Sequence, residues 1–484
     1  MANGLFIFRR DLRTQDNKGL SKAASENDKL NCFFFLDPKQ IGKENIFTFV
    51  AALLLLFFIN LILFWPGQIS PDSIAQLKQA TTGLYSNHHP PIMAFLWRYL
   101  LKIFPYASGM LIFHLTLLYS SCYIFFQAFK NYRLKYFYLF FPFFPPILFY
   151  SSMIWKDVGF AFSFLFVAAS LSYFILHKIK PSFFQLFGIY LVLFYGAAVK
   201  FQAIFCIPPL ILAICITQNN FKINKKTILQ FLLSTVCLIV SINIFNDFLV
   251  SKTEHSDSWK FVKVYDLAGI SIQLNQPIFP EYILKHSNFS FEKVKEKFNY
   301  ERVDDIVFFK DSPIPREELE SDRIALLDCW RKAVRKHPFF FLKHRLKNWM
   351  RIIFSRPLEK IDQLDFNQFE TVSWLAKVQR KNDFISKFIF LILKLCRLFF
   401  NFFLVFSIMI FYIATGLYNI KCPTGLLLLL INLAAFLLVF SLLFFSMASS
   451  LRYVYMSVCL VHASHPIAFL IYRKTIPEVL PTQQ

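Results

Sequence analysis

WPGQISPDSIAQLKQATTGLYSNHHPP, residues 65–91, is the stretch on which the reading of this chain turns. It follows some twenty apolar residues, 46–65, whose only polar side chains are Thr48 and Asn60. A run of that length is what a helix needs to cross a bilayer core of ~30 Å. Pro66-Gly67 stops that helix. Ser70-Pro71-Asp72 then has the grammar of a new one: Ser70 caps, Pro71 takes the first position and Asp72 sits at the positive end of the dipole. Asp72 is the only acid of the stretch, Ser73 follows it, and the stretch ends in His88-His89-Pro90-Pro91. The order of span, acid-bearing loop and proline turn reads as the first exterior loop of a polytopic membrane enzyme, with Asp72 at its chemical centre.

Of 484 residues, 56% are hydrophobic and 64 are Phe, more than a soluble surface of this size can hide. Apolar segments predict an all-α polytopic membrane protein of about ten transmembrane helices, at 46–64, 108–128, 136–152, 158–176, 182–198, 201–217, 228–249, 386–416, 424–446 and 454–472. Basic residues gather in alternate short loops: 130–135, 177–180, 222–226, Lys421 and the tail with Arg473 and Lys474. By the positive-inside tendency those loops are cytoplasmic, and so are both termini. The formal net charge of +22 then belongs to a membrane surface facing anionic lipid, not to nucleic acid. The nine cysteines contain no CxxC pair, and only Cys329 falls in the large exterior segment, so no exterior disulfide is expected there.

Residues 1–43 differ in style. Residues 5–8 and 32–36 read as strands around a helical stretch at 18–24, a short β-α-β fragment on the cytoplasmic side. Phe8-Arg9-Arg10-Asp11-Leu12-Arg13, Asp16-Asn17 and Phe35-Leu36-Asp37-Pro38 resemble the opening of the DNA photolyase and cryptochrome α/β domain. The resemblance covers about forty residues and then stops, without the flavin domain of that family, so flavin is not expected and photolyase chemistry is the remote alternative.

The organisation that follows is a fragment at 1–43, a first membrane domain of seven helices at 46–249 with its loop at 65–107, an extracytoplasmic region at 250–385, three last helices at 386–472 and a tail at 473–484. In the extracytoplasmic region, 337–354 sets Lys343, Arg345, Lys347 and Arg351 among aromatics, the pattern of a helix lying at the lipid–water boundary with its basic residues toward headgroups. The exterior segments 65–107, 153–157, 199–200, 250–385 and 447–453 share one face in this topology.

The chemistry-bearing candidates lie in or beside them. Asp72 is a candidate general base, and its place at a helix start is compatible with that role. His88 and His89 orient a phosphate or the acid, or stand exposed in a turn; adjacent histidines do not by themselves make a metal site. Lys156 and Asp157 either anchor span ends or meet a lipid-linked phosphate. Lys200 and Gln202 occupy a tight bend where a charge runs against the positive-inside tendency. Arg452-Tyr453 is an interfacial anchor or a fork for pyrophosphate. No GxSxG, P-loop or HExxH motif appears.

In order along the chain, Pro66-Gly67, Asp72-Ser73, His89-Pro90, Trp155-Lys156-Asp157, residues 266–270, the run from Trp330 through His337-Pro338 to His344-Arg345, and Arg452-Tyr453 resemble GT-C type polytopic glycosyltransferases over about 46–472. The resemblance implies sugar transfer from a polyprenyl-phosphate donor to a glycan or lipid acceptor of the cell envelope, at the extracytoplasmic face of a bacterial inner membrane. Asp72 would deprotonate the acceptor, and Lys156, Lys200 and Arg452 would stabilise the departing phosphate. The first loop lacks the paired acid of some members, which leaves a divalent metal possible but unassigned. A transporter or flippase of a lipid-linked or anionic substrate is the competing expectation; Pro145-Pro146 and Pro208-Pro209 are where its helices would break.

Overall fold

The computed structural model describes residues 3–8, 29–34, 38–251, 258–309, 311–314, 319, 322–354, 391 and 396–475. By contact it divides into two compact units, Met1–Ile59 and Asn60–Gln484. In the first, β1 (Asn3–Phe8) and β2 (Lys29–Phe34) pair in parallel, with Asn3 opposite Lys29 and Phe8 opposite Phe34. Parallel strands need a crossover; residues 9–28, which include the helix expected at 18–24, lie outside the described residues. This unit also holds most of α1 (Pro38–Phe64).

The second unit is helical. α2 (Pro71–Thr82) and α3 (Ile92–Leu100) form the first loop, and α4 (Ser108–Ala128) follows. Then come α5 (Lys156–His177), α6 (Phe183–Ala198), α7 (Ala203–Gln218) and α8 (Lys225–Leu249). Beyond them lie α9 (Trp259–Leu274), the single turn α10 (Asp304–Val307), α11 (Arg323–Lys336) and α12 (Pro338–Phe354). The chain closes with α13 (Phe402–Tyr418), α14 (Pro423–Phe445), α15 (Tyr455–Ala463) and α16 (His465–Thr475).

Among the described residues six segments are long and apolar enough to cross a membrane: Phe47–Phe64, α4, α5, α8, α14 and Leu451–Tyr472. α6, α7 and α13 are shorter apolar helices. The span expected at 136–152 is not one helix. The chain there runs through Arg133–Tyr136, Phe137–Phe140, Phe141–Phe143 and Pro145–Ser151 in separate short turns. Pro142, Pro145 and Pro146 supply no N–H to the ladder, and Phe144, ahead of a proline, is extended at ψ 129°. Pro208 and Pro209, by contrast, are absorbed within a continuous α7. The eighth expected span is helical as α13 only from Phe402; residues 386–390 and 392–395 lie outside the described residues.

The broken path still returns the chain from one end of the bundle to the other. α4 and α5 stop together, where the His177 ring meets the Gln127 carbonyl at 3.0 Å. α5 starts at the opposite end, beside residues 68–73, where Gln68 N–H donates to Ser152 and Ile154 N–H donates back to Gln68. Gly67 makes this approach possible: its φ is +102°, and a Cβ there would lie 2.7 Å from Ile154.

α9, α11 and α12 pack around a second apolar core that includes Phe261, Val264, Tyr265, Ile306 and Leu326. Each such side chain contributes roughly 1.5–3 kcal/mol when fully buried. Here the expectation for 337–354 fails in part. Arg345 does not face headgroups: it is fully buried, with Nε 2.5 Å from Asp266 Oδ1 and NH1 donating to the Ser446 carbonyl at 2.7 Å. A buried carboxylate attracts it more strongly than an exposed headgroup can. Lys343 and Lys347 do remain exposed.

Candidate functional site

The first loop is built as its residues dictate. Ser70 caps α2, its Oγ accepting from Ser73 N–H while Ser73 Oγ accepts from Ser70 N–H. Ser73 Oγ also donates to the Ile154 carbonyl at 2.7 Å, and the Trp155 indole donates to Ser70 Oγ at 2.8 Å. The start of α2 is thereby fastened to the start of α5, with Asp72 in the first turn of α2.

Four segments converge there. Arg452, just ahead of α15, places NH1 2.9 Å from Asp72 Oδ2 and stacks over the Trp155 ring at 5.3 Å. His89 Nε2 stands 3.7 Å from the other Asp72 oxygen, and His89 Nδ1 lies 2.7 Å from Lys156 Nζ. One layer deeper, Lys200 Nζ pairs with Asp157 Oδ1 at 2.5 Å and donates to the Tyr453 carbonyl at 3.2 Å. Both side chains of that pair are about as buried as a core residue. The Tyr453 ring flanks Arg452 and Lys200.

Electrostatics divides the labour. Burial works to protonate Asp72, but Arg452, then His89 and Lys156, outweigh it and hold the carboxyl well below the ordinary range. The imidazole of His89 is also lowered, by burial first and then by Lys156, so it is neutral at pH 7. An ammonium has no lone pair, so Lys156 donates to His89 Nδ1, and the ring's proton lies on Nε2, toward Asp72. The cluster thus sets three cations, Arg452, Lys156 and Lys200, beside two carboxylates, Asp72 and Asp157.

Two expected residues stand outside these contacts. His88 stacks by His89 at 4.6 Å, faces Phe261 at 5.9 Å, and its carbonyl accepts from Ser258 Oγ at 2.6 Å, tying the loop to the start of α9. Gln202 precedes α7, and its side chain takes no part in the contacts above. One acid that the sequence does not single out lies within electrostatic reach of this cluster. Residues 301–303 run antiparallel against 447–449, with Val303 N–H donating to Met447 and Ser449 N–H to Glu301. This brings Asp304 close enough to Arg452 and Asp72 to feel both charges. Burial is the main push that raises its carboxyl above the ordinary value; Arg302 and Arg452 oppose it, while Asp305 and Asp72 add to it. In sequence, Asp304-Asp305 looks like any solvated acidic pair.

Comparison with known proteins touches only the other end of the chain. Residues 5–57 match the family described as DNA photolyase. No curated protein and no solved structure matches the chain significantly. The photolyase match ends inside α1, within Phe47–Phe64, and includes none of the residues around Asp72. Among the described residues no group of three or more His, Cys, Asp or Glu is placed to hold a metal ion.

The motif pieces at 266–270 and 330–345 form a separate cluster. Asp266 accepts from Trp330 at 2.8 Å, pairs with Arg345 and has His344 Nε2 at 3.5 Å. Gly269 lets α12 approach, since a Cβ there would fall 2.2 Å from His344 Nδ1. Burial lowers the His344 imidazole well below its usual value, with Arg345 adding to the effect, so it is neutral. This cluster is buried and joins α9, α11 and α12.

Proposed function

We propose that this chain is an integral membrane glycosyltransferase of the GT-C type. It transfers a sugar from a polyprenyl-phosphate-linked donor to a cell-envelope acceptor at the extracytoplasmic face of a bacterial inner membrane. The observation that carries the reading is Asp72, joined to Arg452 and flanked by His89 and Lys156, groups brought together from the first loop, the start of α5 and the turn ahead of α15. The nine apolar helical segments among the described residues and the broken path at 133–151 are read as ten crossings, with both termini cytoplasmic.

In this mechanism the donor phosphate displaces Asp72 from Arg452, whose planar fork suits it, and Lys156 adds a second positive charge. Release of the ion pair raises the basicity of Asp72. The carboxylate takes the proton of an acceptor hydroxyl, the hydroxyl oxygen bonds to the anomeric carbon, and the bond from that carbon to the phosphate oxygen breaks. The electron pair leaves on the polyprenyl phosphate, stabilised by Arg452 and Lys156. Asp157 holds Lys200 against the Tyr453 carbonyl and so fixes the backbone that presents Arg452. Flavin has no part in this scheme, and the photolyase-like stretch supplies none of its residues.

A transporter of a lipid-linked substrate is the second reading, favoured by the interrupted helices at 133–151 and at Ser464. Binding of a polyprenyl phosphate to the purified chain tests the first. Arg452→Gln removes the charge, and affinity should fall tenfold or more; unchanged affinity in that variant would remove Arg452 as the phosphate site.

A further inference from the structure

Where the path at 133–151 breaks, it leaves a cavity of about 630 Å³ between the broken turns, α13 and the last two helices. Phe137, Phe141 and Phe144 wall it on one side and Phe399 on another, and among the described residues no Asp, Glu, Lys or Arg lines it. Its polar lining is Asn401, whose side-chain oxygen accepts from Phe403 N–H, and the rings of His462 and His465, with Tyr412 behind them. Tyr412 OH lies 2.6 Å from His465 Nδ1, and His465 Nε2 lies 2.9 Å from His462 Nδ1. His462 lines the cavity, and its Nε2 is buried with no hydrogen-bond partner among the described residues.

The order of protons along this chain of rings follows from donor strength. If Tyr412 donates to His465 Nδ1, the neutral His465 ring carries its hydrogen on Nε2 and donates to His462 Nδ1. His462 then holds its own hydrogen on Nε2. Either order leaves one donor unmet, the Tyr412 O–H or the His462 N–H; the phenol is the more acidic donor and the imidazole nitrogen the stronger acceptor, so Tyr412 donates. The chain of rings therefore ends in a buried N–H at the cavity, and an unmet donor in an apolar site is costly. What meets it must be an acceptor, uncharged, and soluble in hydrocarbon. Phe140, Phe399 and Leu404 of the wall are exposed on the apolar surface of the bundle, so such a molecule enters from the lipid side. The aromatic walls, with Phe144 4.4 Å from the His462 ring, favour a flat ring as the part that lies against them.

We propose that this cavity binds a lipid-soluble molecule of the quinone class, with a ring carbonyl accepting from His462 Nε2. The site is independent of the transferase reading: none of its residues touches Asp72, Arg452 or Lys156.

The test uses the purified full-length chain in detergent, with decylubiquinone as the probe and decylbenzene as the same tail on a ring without a carbonyl, bound fractions being read by native mass spectrometry. Decylubiquinone should saturate the wild-type chain at one equivalent and bind about tenfold tighter than decylbenzene, the worth of one hydrogen bond to a buried donor. His462→Phe, which keeps the ring and removes the donor, should abolish that preference. Tyr412→Phe, which frees the orientation of the two imidazoles, should reduce it roughly threefold. Equal binding of the two probes to the wild-type chain overturns the proposal even if a variant fails to fold. So does an undiminished preference in His462→Phe, or binding that never saturates.

Discussion

Asp72 does two things with one carboxylate. It favours the positive end of α2 and it pairs with Arg452, which lies 380 positions later in the chain. The first role is readable from Ser70-Pro71-Asp72 alone, because capping is local. The second is not, because it depends on where the fold carries residue 452. His89 shows the same split: its Pro90 neighbour marks a turn, but its contact with Lys156 is tertiary. These environments give a pH prediction. Asp72 is depressed, so its stabilising effect is present above the ordinary carboxylate pKa of ~4 and fades as pH falls through its lower folded value. His89 is depressed too, so below the unfolded pKa of ~6.5 the unfolded chain takes a proton that the folded ring refuses, and stability falls. Thermal unfolding in detergent should therefore shift to lower temperature between pH 7 and pH 5. The buried His344 adds to that slope with the same sign, so His89→Gln should reduce it without abolishing it, and an unchanged slope would mean that His89 does not contribute.

The elements were legible to different degrees. α4, α5, α8 and α14 follow long apolar runs, and their bounds fall within three residues of the expected ones. The path at 133–151 reads as a span by composition, yet Pro142, Pro145 and Pro146 divide it. Composition reports solubility in lipid, whereas the helix requires an N–H at each step. α12 misleads in the opposite way. Its Arg345 looks like a surface cation because the partner, Asp266, sits on another helix. Replacing Asp266 with Asn would leave the guanidinium buried without its counter-charge, at a cost of about 3–5 kcal/mol. The unfolding temperature of Asp266→Asn should drop accordingly, while Lys343→Gln, on the exposed side of the same helix, should leave it unchanged. A small effect of Asp266→Asn would show that the pair is solvated.

At the scale of the whole molecule, residues 65–91, 152–157, 199–202 and 446–453 collect at one end of the helices. The alternation of apolar runs and basic loops in the sequence was enough to expect this gathering, since each crossing sends the chain to the opposite end. It was not enough to find Asp304, which enters through the pairing of 301–303 with 447–449, a contact that no local pattern announces. It also could not foresee that His88 would turn toward Phe261 while His89 turned inward. A change of one atom tests what this gathering does. Asp72→Asn keeps the size and the α2 start and removes the negative charge. The measurement is the sugar composition of the cell envelope when the variant stands at wild-type level in the membrane. One envelope sugar should disappear; an envelope identical to wild type would mean that Asp72 is not the base of a sugar transfer.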